Sequence, residues 1–292
     1  IIETSSLGFS FKDEPDLHQD LHIIESLPSS HHEMWTPVVK SKHAQITDSY
    51  NELKLIAKEK GGNRRRMDII FRVYDDGVAF RYKLYRSARV GNRQLTKELT
   101  TFNIPGNPDA WVVEYDGGKY TSAQEAEFMQ RRLDYVTDKT IAGLPFLIKQ
   151  ADNCWIAVTE AEIDNYAGFY IGTNGEKNQL TTKLSPLPGE DEQGVKVRFA
   201  DDMITPWRVI MVGNTPGRLI ESEIIQNLNP PCAIADPSWI KPGMSAWDHW
   251  WTGDEKVEIP VIKEYIDLAS EMGWAYMLVD WQWYEPFNKP EA

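Results

Sequence analysis

The chain has 292 residues, 41% hydrophobic and 26% charged, and its 31 Lys and Arg against 44 Asp and Glu give a formal net charge of −13. That length suits one large domain or two ordinary ones, with a globular composition. The acidity argues against nucleic-acid and anionic-membrane partners, which need clustered Lys and Arg, and no apolar run is long enough to insert in a membrane. Cys154 and Cys232 make neither a disulfide framework nor a zinc site. The first residue is Ile1, inside what reads as a strand, so a removed upstream segment is expected.

Residues 1 to about 200 read as many short strands. His18, His22, His31, His32 and His43 match no helix or zinc spacing and are expected in loops. A strand is predicted over Glu52 to Lys58, and Arg64-Arg65-Arg66 reads as a solvated loop edge. The clearest hairpin runs from Met67 to Tyr74, turns at Asp75-Asp76-Gly77 and returns from Val78 to Tyr85. That acidic turn is not a calcium loop. Period-2 alternation predicts burial of Ile69, Phe71, Val73, Phe80 and Tyr82. Further strands are expected at Glu98 to Asn103, Gly143 to Lys149, Cys154 to Thr159, Gly168 to Ile171, Gln179 to Leu184 and Lys196 to Phe199. Cys154 reads as a small buried hydrophobe. Strand density without long helices predicts a large antiparallel β-sandwich.

Thr205 to Val212 reads as a last sandwich strand, and Arg218 to Asn227 as one short helix. Asn229-Pro230-Pro231-Cys232 is a stiff linker, dividing the chain into domains at 1–229 and 230–292. Beyond it, the aromatic run from Met244 to Trp251 reads as a buried strand. Pro260 opens a helix with apolar residues at Val261, Ile262, Tyr265, Ile266 and Ala269, and Gly273 closes it. Ala275 to Val279 forms a second strand, ending in Asp280-Trp281-Gln282-Trp283. This βαβ pattern carries seven of the eleven Trp between Trp239 and Trp283. Trp beside Asp at strand ends suits a pyranose, whose C–H face stacks on indole while a carboxylate takes its hydroxyls.

Several segments together resemble glycoside hydrolase family 97, the calcium-dependent α-glucosidases and α-galactosidases. They include Phe71-Arg72-Val73-Tyr74-Asp75-Asp76-Gly77, Gly143-Leu144-Pro145-Phe146, Thr159-Glu160-Ala161-Glu162, Thr205-Pro206-Trp207-Arg208 and Asn227-Leu228-Asn229-Pro230-Pro231. Trp239-Ile240-Lys241-Pro242-Gly243 and Glu271-Met272-Gly273-Trp274 continue the series. The resemblance implies a β-super-sandwich followed by the first βαβ of a (β/α)8 barrel, with the catalytic carboxylates expected beyond Ala292 and none within the chain. It implies an exo-acting parent enzyme, an oligosaccharide substrate, a periplasmic location and one Ca2+. Glu160 is the metal ligand so implied, with Glu162 as the alternative match. Asp280 is expected to bond sugar hydroxyls, and Trp247, Asp248 and Trp281 are the accompanying candidates. Trp250, Trp251, Trp281 and Trp283 fit barrel-core or interdomain packing equally well, and His249 reads as structural. The competing reading is a non-catalytic carbohydrate-binding or scaffold module.

Overall fold

In the computed structural model, residues 1–61, 64–86, 91–115, 119–120, 124–191, 194–249 and 258–280 are described. In chain order the strands are β1 (Phe9–Phe11), β2 (Leu21–Trp35), β3 (Ile46–Glu59), β4 (Arg66–Tyr74), β5 (Gly77–Leu84), β6 (Arg93–Glu98) and β7 (Thr101–Asn103). Next come β8 (Asp109–Val112), β9 (Met129–Arg132), β10 (Phe146–Ala151), β11 (Cys154–Ala161), β12 (Phe169–Gly172) and β13 (Gln179–Leu184). After β14 (Val197–Phe199), β15 (Met203–Ile204) and β16 (Trp207–Gly213) follow the short helices α1 (Pro216–Glu221) and α2 (Ile224–Leu228). The chain ends its described part with β17 (Ser245–Trp247), α3 (Ile259–Glu271) and β18 (Tyr276–Leu278). It divides into two compact units, Ile1–Thr36 with Lys42–Pro231, and Pro37–Ser41 with Cys232–Ala292.

The first unit is the antiparallel sandwich. One ten-stranded sheet runs β2-β3-β4-β5-β16-β11-β10-β8-β9, with β15 beside β5. The three-stranded sheets β1-β6-β14 and β12-β13-β7 supply Phe9, Leu95, Phe102, Phe169 and Leu180 to the same core as Tyr82, Phe146 and Ile156 of the large sheet. Apolar side chains at alternate positions of both layers meet there and leave water together. The large sheet is also covered on its other face, where Leu219, Ile224 and Leu228 of α1 and α2 pack on Ala79, Ala157, Trp207 and Met211. Gly77 is required where β5 starts beside β16, because a Cβ would lie 2.4 Å from the Ile210 carbonyl oxygen.

The hairpin forms in the expected register, with Phe71 opposite Phe80 and Ile69 opposite Tyr82. Ile69, Phe80 and Tyr82 are buried, Phe71 is partly buried against the core, and Val73 is 52% exposed. Burial thus falls along the strand towards the turn, where the facing layer ends. Three further expectations are corrected. His22, His31 and His32 sit in β2, not in a loop; β2 is the edge strand, and an edge tolerates the Pro28 that hid it. Arg65 is buried, with Nη2 bonded to Glu59 Oε1 at 2.6 Å and Nη1 to the Pro15 carbonyl, and is no solvated edge. The single helix over Arg218 to Asn227 is two, broken at an extended Ser222 whose carbonyl, like that of Ile220, accepts from Lys42 Nζ. Cys154 is half-buried against the core.

In the second unit, β17 and β18 pair in parallel with α3 between them in sequence. Pro260 lies in the first turn of α3, and Gly273 ends it at a φ of +68°, the left-handed backbone glycine adopts at no steric cost. Of the predicted helix face, Ala269 is buried, Val261, Ile262 and Tyr265 are half-buried, and Ile266 is exposed.

Candidate functional site

The end of β11 lies against the start of β16, with Glu160 opposite Arg208 and Ala161 opposite Trp207. Alternation sends Glu160 and Arg208 into the space between the layers and Trp207 to the outer face. Arg208 is fully buried and holds Glu98 through two bonds, Nε to Oε1 at 2.9 Å and Nη2 to Oε2 at 2.6 Å. Its Nη1 donates to Glu160 Oε2 at 2.8 Å, and the Phe169 backbone N–H donates to Glu160 Oε1 at 3.0 Å. Tyr166 and Thr100 hydroxyls donate to the two oxygens of Glu98. Burial alone would lower the Arg208 pKa, but Glu98 and Glu160 beside it raise it instead. Burial raises the Glu160 carboxyl above its usual range, with Arg208 opposing it. Glu98 is closed from water and Glu160 nearly so, and both are bound to one guanidinium, so they do not flank a sugar bond. Their role is architectural.

Glu162, just past β11, has a φ of +54° and turns to the outer face. Its Oε2 accepts from Arg81 Nη1 at 2.6 Å and Trp207 Nε1 at 3.0 Å, while its N–H donates to Asn229 Oδ1 at 3.1 Å. Two guanidiniums lie over the Trp207 indole, Arg81 at 4.1 Å and Arg72 at 4.8 Å from its centroid, a favourable cation–π arrangement. Burial lowers the Arg81 pKa against the pull of Glu162.

Calcium takes six to eight oxygens, chiefly from carboxylates and carbonyls. Each Glu160 oxygen already accepts one hydrogen bond, from Phe169 N–H and from the Arg208 guanidinium, which leaves one lone pair on each. Glu162 fits better, since its described side-chain bonds all fall on Oε2. One carboxylate is not a site.

In the second unit, the C-terminal ends of the parallel strands bring two sequence-predicted residues together, Trp247 Nε1 donating to Asp280 Oδ2 at 2.9 Å. The His249 ring stacks near Trp247 with centroids 6.2 Å apart. Asp248 is almost wholly buried, away from any sugar in solution. Trp281, like Trp250, Trp251 and Trp283, lies outside the described residues.

A family model described as Glycosyl-hydrolase 97 N-terminal matches residues 1–231. The chain belongs to glycoside hydrolase family 97. A retaining α-galactosidase of Bacteroides thetaiotaomicron is 28% identical over 268 residues, covering 82% of this chain and 39% of that protein. A probable retaining α-galactosidase of Streptomyces bingchenggensis is 28% identical over 77% of this chain and 33% of its own length. A solved family-97 enzyme from Pseudoalteromonas sp. strain K8 in complex with acarbose superposes with a TM-score of 0.84 at 25% identity, covering 99% of this chain and 44% of that one. The same organism's enzyme in complex with panose gives 0.83 at 26% identity. The chain therefore spans about two fifths of the B. thetaiotaomicron protein's length.

Within this family-97 sandwich, sequence reasoning missed Glu98, Arg208 and Arg81. A signal existed for Arg208: it is the one charged residue in the apolar strand Trp207–Gly213, at the inward phase, which demands a buried partner.

Proposed function

We propose that this chain is the N-terminal part of an exo-acting α-glycosidase, an α-galactosidase or α-glucosidase acting on oligosaccharides, and that it is inactive alone. The observation carrying this reading is the match over residues 1–231 to the family's N-terminal domain, in relatives more than twice as long that are named α-galactosidases. Glycoside cleavage needs two accessible carboxylates flanking one bond, roughly 5–9.5 Å apart according to the stereochemical course. The two that meet in the sandwich, Glu98 and Glu160, are both engaged by Arg208, Glu98 fully buried and Glu160 mostly so. The acid and the base or nucleophile then come from chain beyond Ala292.

In that assembly Trp247 and Asp280 would line the sugar site, the indole giving an apolar platform and the carboxylate an acceptor for hydroxyls. A calcium ion would supply positive charge at the reacting centre. Of this chain's residues, Glu162 is better placed than Glu160 to donate an oxygen to it. The family resemblance supports a periplasmic location as part of this proposal. The test is release of 4-nitrophenol from the α-galactoside and α-glucoside by this chain and by the longer protein. Turnover by the longer protein alone is expected. Equal turnover by residues 1–292 would mean that a carboxylate within them carries the chemistry.

A further inference from the structure

The long edge hairpin holds a donor cluster that no part of the glycosidase reading uses. β2 and β3 pair so that His31 lies opposite Tyr50 and Glu33 opposite Asp48. Residues two apart share a face of a strand, so all four side chains stand on the same side of the sheet. His31 Nε2 lies 3.4 Å from Glu33 Oε1 and 3.7 Å from Asp48 Oδ2, and one donor atom from each residue falls within 4.8 Å of the others. Zinc binds nitrogen and oxygen at about 2.0–2.2 Å, so neighbouring ligands of a tetrahedral ion are roughly 3.3–3.6 Å apart. Two edges of that tetrahedron already have about this length.

Asp48 adds an independent observation. It is only 6% exposed, yet its Oδ1 has no hydrogen-bond partner. A buried carboxylate oxygen without a donor is costly, and a cation would satisfy it. The imidazole is already oriented, stacked on Tyr50 with centroids 5.0 Å apart and planes 29° apart. We propose that His31, Glu33 and Asp48 bind one divalent transition-metal cation, Zn2+ by the fit of distance and donor set, with a fourth position left for water. An imidazole with two carboxylates suits zinc rather than calcium, which wants more oxygens.

The test is calorimetric titration of the chelator-stripped chain with Zn2+ and, separately, Ca2+. One Zn2+ per chain is expected, with Ca2+ far weaker. His31→Ala, Asp48→Asn and Glu33→Gln should each weaken Zn2+ at least about tenfold. Glu33 is exposed, so its variant folds and separates lost ligation from lost structure. His32→Ala, on the opposite face of β2, and His43→Ala, beside Glu223, should leave binding unchanged. Absence of Zn2+ binding, unchanged affinity in His31→Ala and Glu33→Gln, or Ca2+ binding as tight as Zn2+ would overturn the proposal.

Discussion

Arg208 concentrates the sandwich's electrostatics in one side chain. Two carboxylates converge on it, Glu98 fully buried and Glu160 mostly so. Removing one partner of such a cluster leaves uncompensated buried charge, a loss of about 3–5 kcal/mol. Arg208→Met should therefore cost that much or prevent folding, as read from urea unfolding. Arg208→Lys should recover little, since an ammonium cannot reproduce the bidentate grip on Glu98. Glu160→Gln keeps one acceptor oxygen for Arg208 but turns its NH2 towards the Phe169 N–H, which then loses its acceptor; its expected cost at pH 7 is about 1–3 kcal/mol. The pH dependence carries a sign. The Glu160 carboxyl is raised in the folded state from 4.5, so the unfolded chain releases its proton first as pH climbs, and stability falls through that window. Glu160→Gln lacks this contribution, so wild type should exceed it by most at acid pH and by least near neutrality. A constant difference from pH 4 to 7 would refute the burial argument. The opposite sign is expected at Asp68. Burial disfavours its charge, but bonds from Arg66, Tyr85 and Lys54 outweigh that and hold its pKa low. The stability Asp68 gives is present above the unfolded carboxylate pKa and is lost as pH falls through the lower folded value. Asp68→Asn should therefore cost most near neutrality, and its difference from wild type should vanish in acid.

At the scale of elements, the β4–β5 hairpin separates position from periodicity. Val73 and Phe80 share a face, yet one is half exposed and the other packed among Phe71, Tyr82 and Phe102. Phe80→Ala should lose about 3–5 kcal/mol and Val73→Ala about 0.5 or less, a contrast readable in equilibrium unfolding. The alternation in the sequence gave the facing of these residues and their register. It could not give the extent of the opposing layer, which is assembled from β1, β6, β7, β12, β13 and β14 scattered from Phe9 to Phe199. The same limit explains β2, whose polar, Pro-containing stretch is a strand because β3 pairs with it over fourteen positions. The Asn227-Leu228-Asn229 motif was visible, but its reasons are tertiary. Asn227 accepts from Trp35 and donates to the Thr47 carbonyl, while Asn229 ties the end of α2 to Glu162. By contrast α3 was legible end to end, since Pro260 and Gly273 act through local backbone geometry alone. Glu160 shows the limit for the site. A motif locates a carboxylate, but its partner Arg208 lies 48 residues away and could not be read from the motif.

The whole molecule combines a sandwich whose described strand pairings lie within residues 1–231 with a strand–helix–strand piece whose described apolar side chains are largely open. The sandwich buries a continuous core on one face of its large sheet and a second cluster under α1 and α2, and its pairings close within residues 1–231. In the other unit Ile259 is 70% exposed, Met272 56% and Leu278 50%, with Ile266, Leu268 and Tyr276 also open. Among the described residues this unit has two parallel strands and one helix, which do not cover both faces of a sheet, whereas parallel sheets are normally buried on both. Clustered exposed apolar side chains of this kind bind hydrophobic dyes and promote association. Residues 1–231 alone should therefore unfold in one cooperative transition, at a midpoint within a few degrees of the sandwich transition in the 292-residue chain. The longer form should bind more anilinonaphthalene sulfonate and sediment with a concentration-dependent larger species, while 1–231 stays monomeric. Failure of residues 1–231 to fold would mean that the sandwich depends on residues 232–292 for its stability. Equal dye binding by both forms would mean that the apolar surface of β17, α3 and β18 is covered in solution.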